Sequence, residues 1–304
     1  MITSAGPCEE IKTGLLPLKL NTGADKREIE RAKLLVTSLT HFWRGHDPFL
    51  LYIVGRDDEV DQIREFMSPL NNQVVRNLVV SESDMIDEIS DLELMKGMYR
   101  QQVIKLFAPI TLGLSGFITF DADIVCTREF DEGTFIRHGK IASNWESRRF
   151  HSWWENAMAG IRAWSDSDVP GLGVTPNTLH AAICRDVLHY LKLRNPNPLR
   201  YLHDLSENHP KLTSYDDEGI SLAWSEYSLY TIIGEWFSHL FDYHMSPQEV
   251  SQAGIQLHSR RNVWFKGDLH RLVPDPGDPG YFLVVQSWAG ISVEEIRSRI
   301  GLPL

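Results

Sequence analysis

The chain has 304 residues, 42% of them apolar and 23% charged, and a formal net charge of −11. Such a composition fits a soluble globular protein with one large α/β domain or two small ones. The acidic balance excludes a broad nucleic-acid surface, which needs clustered Lys and Arg, and there is no run of about 18 apolar residues to span a membrane.

The N-terminal MITSAGPCEE has neither a basic stretch nor an apolar core, so no signal peptide is expected. Cys8, Cys126 and Cys184 are too scattered for a metal motif or a disulfide framework, and a cytoplasmic protein is the default. Residues 15–20 (LLPLKL) read as a first strand, followed by a turn-rich loop over 21–25 in which Asp25 can cap a helix. From 26 to 43 the apolar positions recur at helical spacing. A second strand follows at 49–54, a helix from 57 to 67 with an acidic start, and a third strand at 73–81. This alternation is the signature of a parallel sheet. A helix over 97–108 should stop at Pro109, and residues 117–126 (FITFDADIVC) read as one buried strand carrying Asp121 and Asp123.

Beyond Cys126 the pattern loosens. A strand is expected at 140–145, a helix over 150–164 carrying Trp153, Trp154 and Trp164, and a short strand or turn at 171–176. A helix over 178–193 comes next, and Pro196, Pro198 and Pro210 punctuate the segment after it. A long helix over 226–241 is capped by Ser225, late strands fall at 254–258 and 281–286, and Ser292 with Glu295 forms a capping box that opens a last helix. No linker divides the chain. The expectation is a single α/β domain over 1–304, with a nucleotide-binding half at 14–126 and a less regular acceptor-binding half at 127–304.

Ligand sites of α/β sheets lie at the carboxyl ends of their strands. Asp121 and Asp123 would therefore face a crevice, where paired carboxylates suit Mg²⁺ or Mn²⁺ holding a diphosphate. Asp-x-Asp after an apolar strand serves nucleotide-sugar transferases in this way. It also serves phosphatases of the haloacid-dehalogenase type, and Asp121-Ala-Asp123-Ile-Val125 fits their pattern with Asp121 as the nucleophile. That motif usually sits on a domain's first strand, however, and here about three strand–helix units precede it. The later acidic pair Asp216-Asp217 follows no apolar strand. The transferase is the preferred reading. A non-catalytic nucleotide-binding protein is a third.

The helix Gly97-Met-Tyr-Arg-Gln101-Gln102-Val-Ile-Lys105-Leu106 followed by FITFDAD resembles the central block of a bacterial family of glycosyltransferases, named chiefly as a domain of unknown function. The likeness continues at Gly173-Val-Thr175-Pro176 and at Trp224-Ser225-Glu226-Tyr227-x-Leu229-Tyr230, and spans roughly residues 15–264. It implies a GT-A-like fold, a Rossmann-type, mostly parallel sheet flanked by helices. The activity implied is metal-dependent transfer of a sugar from a nucleotide-diphosphate donor to an acceptor hydroxyl. The partners would be a nucleotide-sugar donor and a carbohydrate or lipid-linked acceptor, with no nucleic acid and no membrane span, which leaves room for peripheral membrane contact.

Particular residues carry these expectations. Asp123, assisted by Asp121, would hold the metal, and GT-A enzymes often draw a third ligand, commonly histidine, from the C-terminal part. His258 is the candidate, ahead of His239 and His244. Lys105 or Arg100, and Arg260 or Arg261, could reach the donor phosphates as cations. Gln101 and Gln102 point to different helix faces, so that one could touch the nucleotide. Asn144, Trp145 and Glu146 end a strand where sugar hydroxyls could be bound, and Thr175 and Tyr227 fall on the shared motifs on the substrate side. Glu226 is expected to bind a sugar hydroxyl or to act as the general base of an inverting transfer.

Overall fold

The computed structural model describes residues 7–20, 27–86, 89–166, 168–208, 222–237 and 239–302. The loop at 21–25 with its Asp25 cap, Pro210 and the Asp216-Asp217 pair lie outside the described residues. The strands are β1 (Thr13–Pro17), β2 (Phe49–Gly55), β3 (Val75–Ser81), β4 (Gly116–Thr119), β5 (Ile124–Cys126), β6 (Ile136–Arg137), β7 (Lys140–Ile141), β8 (Trp145–Glu146), β9 (Gly171–Leu172), β10 (Asn177–His180), β11 (Gln256–His258) and β12 (Gly280–Val284). The main sheet has the order β10-β4-β1-β2-β3. Its first four strands in sequence are mutually parallel, while β10 joins β4 antiparallel. A smaller sheet, β11-β12-β5, pairs β12 antiparallel to β5. The later half of the chain thus supplies strands to both sheets that the earlier half begins.

Successive side chains of a strand face opposite sides, and the core follows that rule. Leu15 and Phe117 pack with Leu106, Ile183 and Leu229 of the helices Gly97–Thr111, Ala181–Arg194 and Glu226–Trp236. Leu16 and Ile118 pack on the other side with Leu35 of helix Arg27–Phe42 and with Phe120 and Phe282. Each such buried side chain contributes about 1.5–3 kcal/mol, so the mainly parallel sheet is clamped from both faces, which is the expected α/β architecture. A third cluster seats the last helix, Val293–Ile300, through Ile296 against Leu34 and Val125. Ser225 and Ser292 cap their helices as the sequence indicates.

Several expectations need correction. The run 117–126 is two strands in different sheets: β4 ends at Thr119, β5 starts at Ile124, and a turn closed by Ile124 N–H donating to Asp121 O carries both aspartates. Residues 178–180 are strand rather than helix. They fill the hydrogen-bonding edge of β4, whose backbone groups are buried and need partners. The helix then starts at Ala181, where His180 Nδ1 accepts from Ala182 N–H. Helix Gly97–Thr111 runs through Pro109, which lies in its last turn where one lost hydrogen bond does not end it. The helix expected over 226–241 stops at Trp236, and a separate turn of helix follows at Leu240–Tyr243. No helix among the described residues is long and apolar enough to cross a membrane.

Candidate active site

Three distant segments meet at the carboxyl end of β4. Lys105 projects from helix Gly97–Thr111 and is 3% exposed. Its Nζ lies 2.8 Å from Asp121 Oδ1 and donates to Glu226 Oε1 at 3.0 Å and to Thr175 Oγ1 at 2.8 Å. Burial pulls the Lys105 ammonium down, but the charges of Asp121 and Glu226 outweigh it and hold its pKa well above the ordinary value. Lys105 is therefore a fixed cation between two carboxylates, one of them at the mouth of the sheet.

Glu226 is buried as the first residue of its helix, where the helix dipole favours a negative charge. Burial raises its pKa, against the pull of Lys105. Tyr227 is buried too. Its hydroxyl meets Thr119 Oγ1 at 2.7 Å and Thr175 Oγ1 at 2.8 Å, and Thr119 donates to Asn177 O. Tyr227 thus ties β4 to the 171–177 segment. Trp224, beside Glu226 in the sequence, is core: its ring packs at a tilt of 39° on Tyr99, ring centroids 4.8 Å apart.

Asp123 is half-buried on the other side of the turn. Burial and then the neighbouring charge of Asp121 lift its carboxyl to about 7, and Arg31 opposes the rise. Arg31 is itself buried, its guanidinium donating to Val285 O and Ile291 O. Sequence reading passed over it because its helix position looked like an ordinary solvated one. Asp121, Asp123 and Glu226, with Glu28 nearby, outnumber the cations Lys105 and Arg31, so negative charge is in excess around the turn. A divalent cation would offset it.

The other expected residues distribute as follows. Arg100 is committed to an ion pair with buried Glu82. Gln101 is half-buried. Gln102 is buried three residues before Lys105, on the same helix face, and its Oε1 makes no hydrogen bond. His258 has both ring nitrogens on protein partners: Nε2 is 2.9 Å from Pro176 O and 3.2 Å from Val174 O, while Asn262 Nδ2 is 3.4 Å from Nδ1. Burial lowers its pKa, which leaves a neutral ring donating to those carbonyls. His239 pairs with Asp186, and His244 lies buried between Ser143 and Tyr230. Among the described residues no grouping of three or more His, Cys, Asp and Glu is arranged to hold a metal. Arg261 holds Asp278 and Val273 O beside a cavity of about 320 Å³ lined also by Thr127 and Arg128. Arg261 and the exposed Arg260 are bound to Asp278, and no hydrogen bond or ion pair among the described residues joins either to Asp121 or Asp123.

Trp145 stacks on Phe241 and meets the edge of His244, Trp154 is buried, and Trp164 is exposed. Asn144 is half-buried, its backbone held by the Asn177 side chain. The segment between β9 and β10 is the hub of the site. Thr175 touches Lys105 and Tyr227, and the carbonyls of Val174 and Pro176, on either side of a cis Thr175–Pro176 bond, meet His258. With His258 removed, those carbonyls lose a buried donor, which typically costs about 1–3 kcal/mol. The His258→Ala protein is therefore expected to melt lower with its Mn²⁺ affinity unchanged; a fall in Mn²⁺ affinity at unchanged stability would instead make His258 a metal ligand.

The fold is a mainly parallel α/β sheet flanked by helices, with two carboxylates and a buried lysine at the carboxyl end of its strands, where ligand sites of such sheets lie. The chain belongs to a family of unknown function, DUF6492, whose model matches residues 10–301. No curated protein matches it. Among solved structures it is similar to apo mouse xyloside xylosyltransferase 1, with a TM-score of 0.47 at 13% identity over 82% of this chain and 87% of that one. It is also similar to the mannosyltransferase Ktr4p from S. cerevisiae, with a TM-score of 0.45 at 8% identity over 75% and 66%. A third likeness is to the apo structure of WbbM, described as a bifunctional glycosyltransferase, with a TM-score of 0.40 at 8% identity over 60% and 35%. Likenesses of this order fix neither activity nor substrate.

Proposed function

We propose that this protein transfers a sugar from a nucleoside-diphosphate donor to an acceptor hydroxyl, with a divalent cation at Asp121 and Asp123. The observation that carries the reading is the convergence of Lys105, Asp121 and Glu226 at the end of β4. A cation buried and charged at a sheet mouth can bind and stabilise an anionic leaving group without reorganising.

The donor set fits a metal. Asp123 carries a carboxyl raised to about 7 by burial and by a like charge beside it, and a divalent cation relieves that conflict. Mg²⁺ and Mn²⁺ of this kind are held by one or two carboxylates together with substrate phosphates and water, so a complete protein cage is not required. Asp121 and Asp123 would hold it, and when bound it would offset charge on the departing diphosphate. Lys105 keeps Asp121 oriented through their ion pair at 2.8 Å. Glu226 keeps Lys105 charged and in place, which makes it a positioning residue. Gln102 Oε1, one turn before Lys105, is a buried acceptor awaiting a donor, as a ligand N–H or hydroxyl would supply.

Calorimetry with UDP, GDP, ADP and CDP tests the reading. One nucleoside diphosphate is expected to bind at least tenfold more tightly with Mn²⁺ or Mg²⁺ than with a chelator, and its sugar conjugates to be hydrolysed slowly in the absence of an acceptor. No binding of any of them, or equal binding with and without metal, would remove the proposal.

A further inference from the structure

Asn144 and Glu146 are two residues apart on extended backbone and so share a face, with Trp145 turned the other way onto Phe241. That shared face is laid over Gly173. A Cβ at position 173 would stand 2.4 Å from Asn144 Nδ2 and 2.9 Å from Glu146 Oε2, so only glycine lets the amide and the carboxylate lie side by side there. The backbone fixes both ends of the arrangement. β8 pairs with β9, Gly173 N–H donates to Asn144 O, and the Val174 backbone lies near enough to the Glu146 carboxylate to pull its pKa down against burial.

The cradle holds a buried polar atom with no protein partner. Glu146 Oε1 is buried and makes no hydrogen bond; His151 Nε2, 3.4 Å away, is out of line. Burial holds that imidazole neutral, with a pKa of about 4, so it does not serve as a counter-ion, and its ring is stacked on Trp153 at 3.8 Å. Burial also raises the Glu146 carboxyl to about 7, as expected of a carboxylate short of donors. The Asn144 side-chain amide has no hydrogen-bond partner among the described residues. A native buried polar atom left open in this way calls for a ligand or an ordered water.

The position matters as much as the chemistry. Gly173 lies two residues before Thr175, whose hydroxyl accepts from Lys105, so the cradle floor is at most about 7 Å, Cα to Cα, from the residue that touches Lys105. An amide that donates and accepts, next to a carboxylate that only accepts, matches two neighbouring hydroxyls of a sugar ring.

We propose that Asn144 and Glu146, laid over Gly173, form a subsite that takes two adjacent hydroxyls of a pyranose close to the Lys105–Asp121 pair. The proposal rests on the sugar-transfer reading for its place in a reaction, and the hydroxyls can belong to the donor's sugar or to the acceptor.

The test uses Glu146→Gln and Asn144→Ala, each first shown by thermal melting to be folded. The probes are UDP and GDP; UDP-glucose, UDP-galactose, UDP-N-acetylglucosamine and GDP-mannose; and the methyl glycosides of glucose, galactose and mannose. Binding is read by calorimetry and, for the weak glycosides, by saturation-transfer NMR. If the subsite holds the donor's sugar, the affinity gained by a sugar nucleotide over its parent diphosphate falls about tenfold in both variants while the diphosphate binds as before. If it holds the acceptor, glycoside binding falls by that factor and both nucleotide forms are unaffected. Wild-type-like binding in both arms by the folded variants, or no saccharide binding by the unaltered protein in either form, overturns the subsite. The glycoside arm needs no nucleotide. An unaltered protein that binds glycosides through Glu146 but no nucleoside diphosphate would keep the subsite and end the transferase reading.

Discussion

Replacing Lys105 by methionine is expected to destabilise the protein by about 3–5 kcal/mol near pH 8 and to lower turnover on the order of 10²–10³-fold. Methionine matches the length and apolar stem of lysine, so the loss is of charge and not of volume. What remains is Glu226, a buried carboxylate whose Oε1 faced the ammonium at 3.0 Å. Without its partner its folded-state pKa rises further, because burial already raises it and Lys105 is what opposes burial. The sign follows from linkage. A carboxyl whose folded pKa lies above its unfolded value binds more protons folded than unfolded, so stability falls as pH rises between the two. The defect should thus be small near pH 4–5 and grow toward pH 8. Urea denaturation at both pH values reads it. Adding Glu226→Gln to Lys105→Met removes the stranded charge and should return most of the stability at pH 8 but none of the activity. A single variant that loses less than about 1 kcal/mol at pH 8, or a double variant as unstable as the single, would show that the pair is not what holds this region.

The second large effect concerns the aspartates, which should separate stability from activity. In metal-free protein Asp123→Asn is expected to melt higher than the unaltered chain at pH 8. The reason is the carboxyl's pKa of about 7: ionising it in the folded state works against burial and against Asp121, and asparagine removes that cost. The gain disappears below the ordinary carboxylate pKa, where the side chain is protonated in both states. Asp121→Asn should leave the fold nearly unchanged, since Glu226 still neutralises Lys105 and Asp121 is about two-fifths exposed. Both variants should lose metal-dependent nucleoside-diphosphate binding. Both should also lose activity on the order of 10³-fold, the equivalent of several kcal/mol of charge stabilisation at tenfold per 1.36 kcal/mol. Melting curves in chelator and initial rates with Mn²⁺ check the two halves independently. An Asp123→Asn protein that melts lower while keeping its turnover would make the turn structural.

Residues outside the site act mainly by holding it. Thr175, Tyr227 and Thr119 form one hydroxyl chain from the sheet to Lys105, and the Tyr227 hydroxyl is engaged by Thr119 and Thr175. The motifs over 173–176 and 224–230, expected to face substrate, owe much of their composition to this scaffold: Trp224 to its tilted packing on Tyr99, Ser225 to its cap, and Gly173 to the side chains lying across it.

The alternation of strand and helix through β3, the caps at Ser225 and Ser292, and the acidic pair after an apolar run are legible from the residues alone. Those features are local: a period of two or 3.6 residues, a side chain reaching its own helix end, a turn of short polar residues. Tertiary structure alone decided where the run 117–126 breaks, because its two halves serve strands from different parts of the chain: β10 beside β4, and β12 beside β5. The same holds for 177–180, drawn into the sheet by the open edge of β4 against its helical surroundings. The centre of the site was least legible. Lysine, arginine and glutamate are mostly solvated residues, and although Lys105 and Glu226 each lie in an apolar run, nothing local in the sequence pairs them. Lys105 and Glu226 meet across 121 positions, and only the packing of their two helices at the end of β4 makes a buried ion pair of them.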